Sequence, residues 1–203
     1  YGWANGDFKV KDGQLHYKGE LIHGKIVDRI FEMSKKGDDP QPLLRFFEKL
    51  KKNPSARSVS MTYDFITHAG IPLTKNGNFL AYKSIRQDWY DHHTGKILNK
   101  VGTTVKVDRN KVSDDPEQGC HFGLHVGAFN YASTFQSGSR IVVCEVNPEY
   151  VVCVPKDHNH EKMRVCEYTV LGVHGGPLLS STVHDEKIVK TAKRKSHAFD
   201  KLT

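Results

Sequence analysis

Residues 119–131 read G-C-H-F-G-L-H-V-G-A-F-N-Y, and this segment predicts the fold most directly. It passes through a short apolar run centred on His125, which Gly127 interrupts, and residues 128–135 then show the apolar spacing of a helix. A histidine on a glycine-flanked strand that leads into a helix is typical of the edge of a sheet, where glycine lets a backbone or ligand approach closely. His125 is therefore a candidate site residue. The alternative is a core histidine whose polar atoms find partners within the fold.

The length of the chain limits its class. With 203 residues it can bury a core as one domain, or as one domain with a small appendage. It contains no apolar run of about 18 residues and no signal-peptide pattern, so we expect a soluble protein that is not exported. Because the chain starts at Tyr1 and not at Met, we expect it to be part of a longer gene product.

Charge and metal-ligand patterns narrow the function classes. The formal net charge is +7, and a large share of the excess lies in residues 187–201. Such a basic run is usually a solvated extension, with nucleic acid or an anionic membrane surface as its candidate targets. The four cysteines lie far apart and form no C-x-x-C pair, and among twelve histidines some proximity is expected by chance, so we predict no structural metal site.

The first third of the chain predicts a hairpin followed by three helices. Residues 8–17 alternate apolar and polar side chains around Asp12-Gly13, a dipeptide typical of tight hairpin turns. Three stretches with helical apolar spacing follow; the first ends at Gly37 and the third covers residues 58–69. Each apolar stripe is most simply a face that packs into the core.

Beyond residue 72 the pattern changes to strands. Residues 78–85 predict a buried strand that carries Lys83, although a buried lysine is costly unless it is paired or reaches a rim. The fold class is therefore α+β, with an N-terminal hairpin and about three helices followed by a mostly antiparallel sheet. Further strands are predicted over residues 103–107, 140–146, 150–154 and 163–171. We divide the chain into residues 1–72 (hairpin and helices), 73–171 (sheet domain) and 172–203 (a flexible basic extension).

Three segments resemble the phage rIIB protein family. Residues 53–86 begin N-P-S-A-R-S-V-S-M-T-Y-D-F and end N-F-L-A-Y-K-S-I-R, residues 114–126 contain D-D-P and G-L-H-V, and residues 147–168 contain N-P-E-Y-V-V-C-V-P and K-M-R-V-C-E-Y. The segments occur in the same order as in the family, and the resemblance extends roughly from Asp7 to Leu171.

This resemblance implies a viral protein that acts in the cytoplasm of the infected bacterium. It implies control of lysis timing and protection of the infection from a prophage-encoded exclusion system. It also implies a partner, either an rIIA-like phage protein or a host defence protein. The family supplies no catalytic residues to carry over to this chain.

The second half also resembles ADP-ribosyltransferase-like catalytic domains. L-A-Y-K-S-I at residues 80–85 is similar to their first landmark strand, with Lys83 in place of a histidine. G-L-H-V-G-A-F-N-Y-A at residues 123–132 is similar to the second, with His125 in place of a stacking tyrosine. C-E-Y-T-V-L at residues 166–171 resembles the third, with Glu167 at the catalytic glutamate position.

The resemblance to ADP-ribosyltransferase-like domains implies a pocket for NAD or another nucleotide. Its candidate catalytic residues are Lys83, His125 and Glu167, and Ser84 and Tyr131 join them as ligand-binding candidates. A carboxylate there would stabilise the oxocarbenium-like state of glycosidic cleavage. Two of the three landmarks are substituted, which favours a nucleotide-binding pocket without activity. The alternative without a ligand is a structural ion pair between Lys83 and Glu167.

Other hypotheses stay open. The group Arg86, Trp89, Tyr90 and His92 could stack on bases if its rings are exposed, and otherwise it is a loop at the edge of the sheet. Cys120 beside His121 suggests a nucleophile, but neighbouring residues of an extended strand point to opposite faces. An interaction module of a larger viral assembly is a third possibility.

The leading prediction is an rIIB-like protein that acts by binding and not by turnover. Its predicted pocket is bounded by Lys83, His125, Tyr131 and Glu167.

Overall fold

The computed structural model describes residues 4–69 and 71–175. The described chain contains four helices and two antiparallel sheets, which confirms the predicted α+β class. Within these residues, no helix combines the length and apolar character needed to cross a membrane.

The first sheet is a meander of four short strands. In chain order they are β1 (Ala4–Asn5), β2 (Phe8–Lys11), β3 (Gln14–Tyr17) and β4 (Glu20–Leu21). The predicted hairpin is confirmed: Val10 pairs with Leu15, and the turn residues Asp12 and Gly13 have positive φ angles of 52° and 74°. This left-handed conformation is the one that two-residue hairpin turns require.

Three helices follow as predicted: α1 (Lys25–Lys36), α2 (Gln41–Lys51) and α3 (Ala56–Ala69). Gly37 ends α1 in a left-handed conformation with φ 77°, as a C-terminal glycine commonly does. The helices pack on the meander through a ring cluster in which Phe47 lies 5.8 Å from Phe8 and 5.4 Å from Tyr17. Each such edge-to-face pair contributes about 0.5–1.5 kcal/mol beyond the area it buries.

The second sheet has seven strands. The strands are β5 (Phe79–Ile85), β6 (Thr104–Lys106), β7 (Leu124–Gly127), β8 (Arg140–Val146), β9 (Val151–Cys153), β10 (Lys162–Val165) and β11 (Glu167–Val173). Their spatial order is β6-β11-β8-β5-β7-β10-β9, and every described pair is antiparallel. The predicted helix after His125 is α4 (Phe129–Phe135).

The predicted single strand over residues 163–171 is wrong, because the chain changes its partners at Cys166. β10 and β11 are joined through Cys166 alone, yet β7, β5 and β8 lie between them in the sheet. The Cys166 N–H donates to Tyr150, next to edge strand β9, and its carbonyl accepts from Val107, next to edge strand β6 (both 2.9 Å). The sheet therefore curls until its two edges meet at Cys166, as strongly twisted sheets can do.

The sheet also forks between β5 and β7. These strands share one register pair, Tyr82 with Gly127, although both continue beyond it. β5 stays with β8 as far as Ile85, opposite Arg140, while β7 stays with β10 back to Leu124. Beyond the shared pair the sheet is therefore split, and a gap opens between the two strands.

Side chains on the two faces of β5 pack into different hydrophobic clusters. Phe79, Ala81 and Ile85 face the main core, which also includes buried side chains of the meander and of the helices. Leu80 and Tyr82 face the other side and pack under α4. One cluster of buried side chains thus joins elements on both sides of the predicted boundary at residue 72, and the domain division stays a prediction. β11 continues to Val173, and residues 176–203 of the predicted extension lie outside the described residues.

Candidate functional site

A cleft of about 340 Å³ opens at the fork of the sheet. Four predicted site residues line it: Lys83 and Ser84 from β5, His125 from β7 and Tyr131 from α4. Because the gap passes through the sheet, side chains from both faces reach the same cavity. These four residues are separated by up to 48 positions (131 − 83) in the sequence, and the fork brings them together.

Lys83 lies at the point where β5 and β7 separate. Its ammonium group donates to the carbonyl oxygen of His125 at 2.7 Å, a group that a continuous ladder would have paired. It also lies 5.7 Å from the ring centre of Tyr168. Burial lowers the pKa of Lys83, and negative charge at Cys144 or Asp91 would offset only part of that effect. Among the described residues, no carboxylate lies within ion-pair distance of this amine.

His125 is half-buried, and its ring is held by the loop that precedes β7. The Nε2 atom lies 3.0 Å from the carbonyl oxygen of His121. Burial lowers the pKa of His125 to about 3, and the charges of Lys83 and Lys162 contribute in the same direction. His125 is therefore a neutral hydrogen-bonding group at physiological pH.

Ser84 and His92 form a second polar group in the cleft. The Ser84 hydroxyl lies 3.3 Å from His92 Nε2, and the hydroxyl of Ser139 lies 2.8 Å from the same atom. Burial lowers the pKa of His92, and the charge of Lys83 lowers it further. His92 lies in the loop after β5, which buried Asp91 stabilises. The Asp91 carboxylate accepts hydrogen bonds from the Thr94 hydroxyl and from the backbone N–H groups of Thr94, Lys96 and Ile97.

Tyr131 occupies the other side of the cleft, beside a buried ion pair. Lys162 is 3% exposed and donates to Asp157 at 2.5 Å and to the carbonyl oxygen of Gly119 at 2.7 Å. Burial raises the pKa of Tyr131 to about 12, and the negative charge of Asp157 contributes to this shift. A Cβ atom at Gly127 would lie 2.6 Å from the Tyr131 ring, so glycine permits the close approach predicted for this position.

Arg164 supports the wall of the cleft and was not predicted from the sequence. It is fully buried, and its guanidinium group donates to four backbone carbonyl oxygens of the loop before β7: Asp115 and Gln118 at 2.5 Å, Ser113 at 2.9 Å and Gly119 at 3.4 Å. Five donors in a fixed fork suit this arrangement better than a single ammonium group does. The one available signal was an arginine within an apolar strand, K-M-R-V.

Glu167 lies outside the cleft, so the pocket boundary predicted at this residue is corrected. It is the first residue of β11 and pairs across the sheet with Lys106, with 3.5 Å between the Lys106 Nζ and Glu167 Oε2 atoms. The alternative ion pair between Lys83 and Glu167 is also wrong, because β8 separates the two strands that carry them. Glu167 instead lines a second, more open depression together with Arg109 and Tyr150.

The structure also locates the residues of the base-stacking and cysteine-nucleophile hypotheses. Trp89 is half-buried, and the guanidinium carbon of Arg140 lies 4.0 Å from its ring centre, while Arg86 forms an ion pair with Asp88 at 2.6 Å. Tyr90 is the exposed ring of that group, at 36%. Cys120 has an exposed thiol that lines the cleft beside His121. Within the described ranges, no three histidine, cysteine, aspartate or glutamate side chains are grouped closely enough to hold a metal ion.

Comparison with known proteins identifies the family. The family described as "Bacteriophage T4 protein rIIB" matches residues 4–183. The chain belongs to the rIIB family. It is 37% identical over 170 residues to Protein rIIB of Enterobacteria phage T4. That alignment covers 83% of this chain and 54% of the relative, so the rIIB-family chain spans about half the length of the curated protein it matches.

The predicted rIIB resemblance is thus confirmed, and the family match extends beyond Leu171. No solved structure matches the rIIB-family chain. The resemblance to ADP-ribosyltransferase-like domains stays a prediction.

Proposed function

We propose that this rIIB-family chain acts by binding an anionic small molecule in the cleft at the fork. The observation that carries the proposal is the Lys83 ammonium group, which has a backbone carbonyl partner but no carboxylate partner among the described residues. A buried cation costs free energy unless nearby groups offset it, so an anionic ligand at this position would balance the charge. Ser84 and His92 supply neutral hydrogen-bonding groups in the same cleft.

The carboxylates of the cleft favour binding over turnover. Asp91 is held by its own loop, and Asp157 is held by Lys162. Glu167 lines a different depression. Cleavage of a glycosidic bond needs a carboxylate beside the developing positive charge. Both oxygens of Asp91 accept hydrogen bonds within its loop, the Oδ2 atom of Asp157 is paired with Lys162, and Glu167 is distant. NAD or another nucleotide remains the ligand of the alternative, ADP-ribosyltransferase-like function, whether active or degenerate.

The biological role follows from the family. We propose that the ligand-binding protein controls lysis timing and protects the infection from exclusion by a host or prophage system. Its partner would be an rIIA-like phage protein or a host defence protein, and it would act in the host cytoplasm. The basic residues 187–201 would add contacts with nucleic acid or an anionic membrane surface.

A binding titration tests the proposed anion site. NAD, ADP-ribose and inorganic pyrophosphate are titrated into the wild-type chain, Lys83→Met and the control Lys106→Met, which removes an exposed lysine outside this cleft. A hydrogen bond to a charged group contributes about 1.5–3 kcal/mol, so we expect Lys83→Met to weaken binding about tenfold to a hundredfold. Lys106→Met should bind as the wild type does.

Two results would contradict the anion site. One is equal affinity of the wild-type and Lys83→Met proteins for a ligand that binds. The other is that no anionic probe, neither these three nor AMP, stabilises the wild-type chain in a thermal-shift assay, since a ligand at a hundred times its Kd adds about 2.7 kcal/mol. The biological part is tested separately by introducing Lys83→Met into the phage gene and timing lysis in exclusion-competent and ordinary hosts.

A further inference from the structure

A row of four rings lines one side of the fork cleft. His158 lies 5.2 Å from Tyr131, Tyr131 lies 6.0 Å from Phe135, and Phe135 lies 5.8 Å from His92, measured between ring centres. We call these four residues the ring row. All four line the cavity, and the row extends from the Asp157–Lys162 ion pair to the hydroxyl of Ser84. A planar group can stack on the face of such a ring or contact its edge in a T-shaped arrangement.

Two of the cleft's aromatic side chains are unusually exposed. Phe122, in the loop before β7, is 55% exposed, and Phe135, at the end of α4, is 50% exposed. They have the highest exposure of the large apolar side chains among the described residues, and both line this cleft. Scattered exposed apolar residues need no explanation, but two phenylalanines at the mouth of one cavity indicate a ligand surface.

The size of the cavity limits the ligand. A volume of about 340 Å³ lies near the lower end of the roughly 300–1,000 Å³ that is usual for small-molecule sites. One planar base with its sugar and a phosphate suits such a space, whereas the second nucleoside of a dinucleotide would extend beyond it. The cleft also combines an apolar, ring-rich part with a cation at Lys83 that, unlike Lys162, has no carboxylate partner among the described residues.

We infer that the fork cleft is a nucleoside monophosphate site, in which the base stacks on the ring row and Phe122 while the phosphate lies at Lys83. This inference rests on the proposed anion site and adds the ligand class to it. Stacking of a base on an aromatic side chain tolerates different bases, because every base has a π face. The cleft therefore selects for the combination of ring and phosphate, and only weakly for the identity of the base.

The test separates the ring from the phosphate. AMP, GMP, CMP and UMP are titrated calorimetrically, together with adenosine, which lacks the phosphate, and ribose 5-phosphate, which lacks the ring. We expect at least two of the nucleotides to bind at least tenfold more tightly than either partial probe. Phe122→Leu and Phe135→Leu keep apolar bulk but remove the ring. Each should weaken nucleotide binding about tenfold and leave ribose 5-phosphate unchanged. Tyr90→Leu, an exposed ring outside the cleft, is the matched control.

The outcomes distinguish this inference from the function on which it rests. If ribose 5-phosphate binds as tightly as AMP and both leucine variants match the wild type, the base subsite is refuted while the anion site stands. If no nucleotide binds but pyrophosphate binds in a Lys83-dependent way, the ligand class is again refuted alone. If neither nucleotides nor any anionic probe binds, both proposals fail.

Discussion

Acid titration of His125 gives the sharpest test of the electrostatics of the cleft. In the folded protein, burial lowers the pKa of this histidine to about 3 from its ordinary value of 6.5, and Lys83, Lys162 and Arg164 add to the effect. The unfolded chain therefore binds a proton at higher pH than the folded chain does. The stability that neutral His125 contributes is fully present above pH 6.5 and is lost progressively as the pH falls towards 3.

The magnitude follows from the two pKa values. A difference of 3.5 units (6.5 − 3) corresponds to an upper limit of about 5 kcal/mol at about 1.36 kcal/mol per unit. Between pH 7 and pH 5 the same linkage gives a loss of about 2 kcal/mol. Because the His125 ring is partly solvated, screening reduces this value, and we expect a loss of about 1–2 kcal/mol over this interval.

The perturbation is His125→Gln, which keeps an amide that can donate to the carbonyl oxygen of His121 but cannot titrate. Urea denaturation at pH 7, 6 and 5 measures the free energy of unfolding of the wild type, of His125→Gln and of the control His93→Gln, which replaces an exposed histidine. Wild type and His93→Gln should lose about 1–2 kcal/mol more than His125→Gln between pH 7 and pH 5. Parallel loss of stability in wild type and His125→Gln would refute the argument that His125 is held neutral by its surroundings.

Three further predictions concern the walls of the cleft. Gly127→Ala should lower the free energy of unfolding by about 1–3 kcal/mol, measured by urea denaturation, because the new methyl group would collide with the carbonyl oxygen of Glu161; an unchanged value would contradict the close approach. Arg164→Met should lower the free energy of unfolding by about 3–5 kcal/mol in the same assay, because the carbonyl oxygens of the loop before β7 lose their donors. Amide hydrogen exchange in that loop should become faster; an unaltered rate would show that the loop is stable without Arg164. Cys120 should react with a thiol reagent in the native protein well before Cys144, because the Cys144 thiol is buried and its pKa is raised to about 12. Mass spectrometry measures the two rates of modification; equal rates would show that the sheet opens readily.

Lys83 has consequences for stability as well as for binding. Lys83→Met removes a partly buried charge and one hydrogen bond while it keeps most of the apolar stem. Replacing a buried charge by an apolar side chain of similar size is often neutral or stabilising, so the free energy of unfolding should stay within about 1 kcal/mol of the wild type or rise. A site that is retained for binding would thus lose function without losing stability. A large destabilisation would identify Lys83 as a structural residue.

The sequence by itself determined the local elements of this protein. The hairpin follows from alternating side chains around Asp12-Gly13, and the end of α1 follows from Gly37, because glycine adopts positive φ angles at low cost. The junction of β7 and α4 follows from the change of apolar spacing after Gly127. These features depend on residues close together in the chain, so the sequence pattern carries the needed information.

The tertiary structure alone decided which strands meet. Alternation of side chains predicts the face that a residue occupies, but it does not identify the neighbouring strand, because pairing depends on contacts distant in sequence. Residues 163–171 therefore read as one strand, although the chain bends at Cys166 and joins two parts of a curled sheet. The resemblance to ADP-ribosyltransferase-like domains likewise predicts Glu167 beside Lys83, whereas the structure pairs Glu167 with Lys106. The single shared pair of β5 and β7 opens the fork, and the fork brings Lys83, His125 and Tyr131 into one cleft.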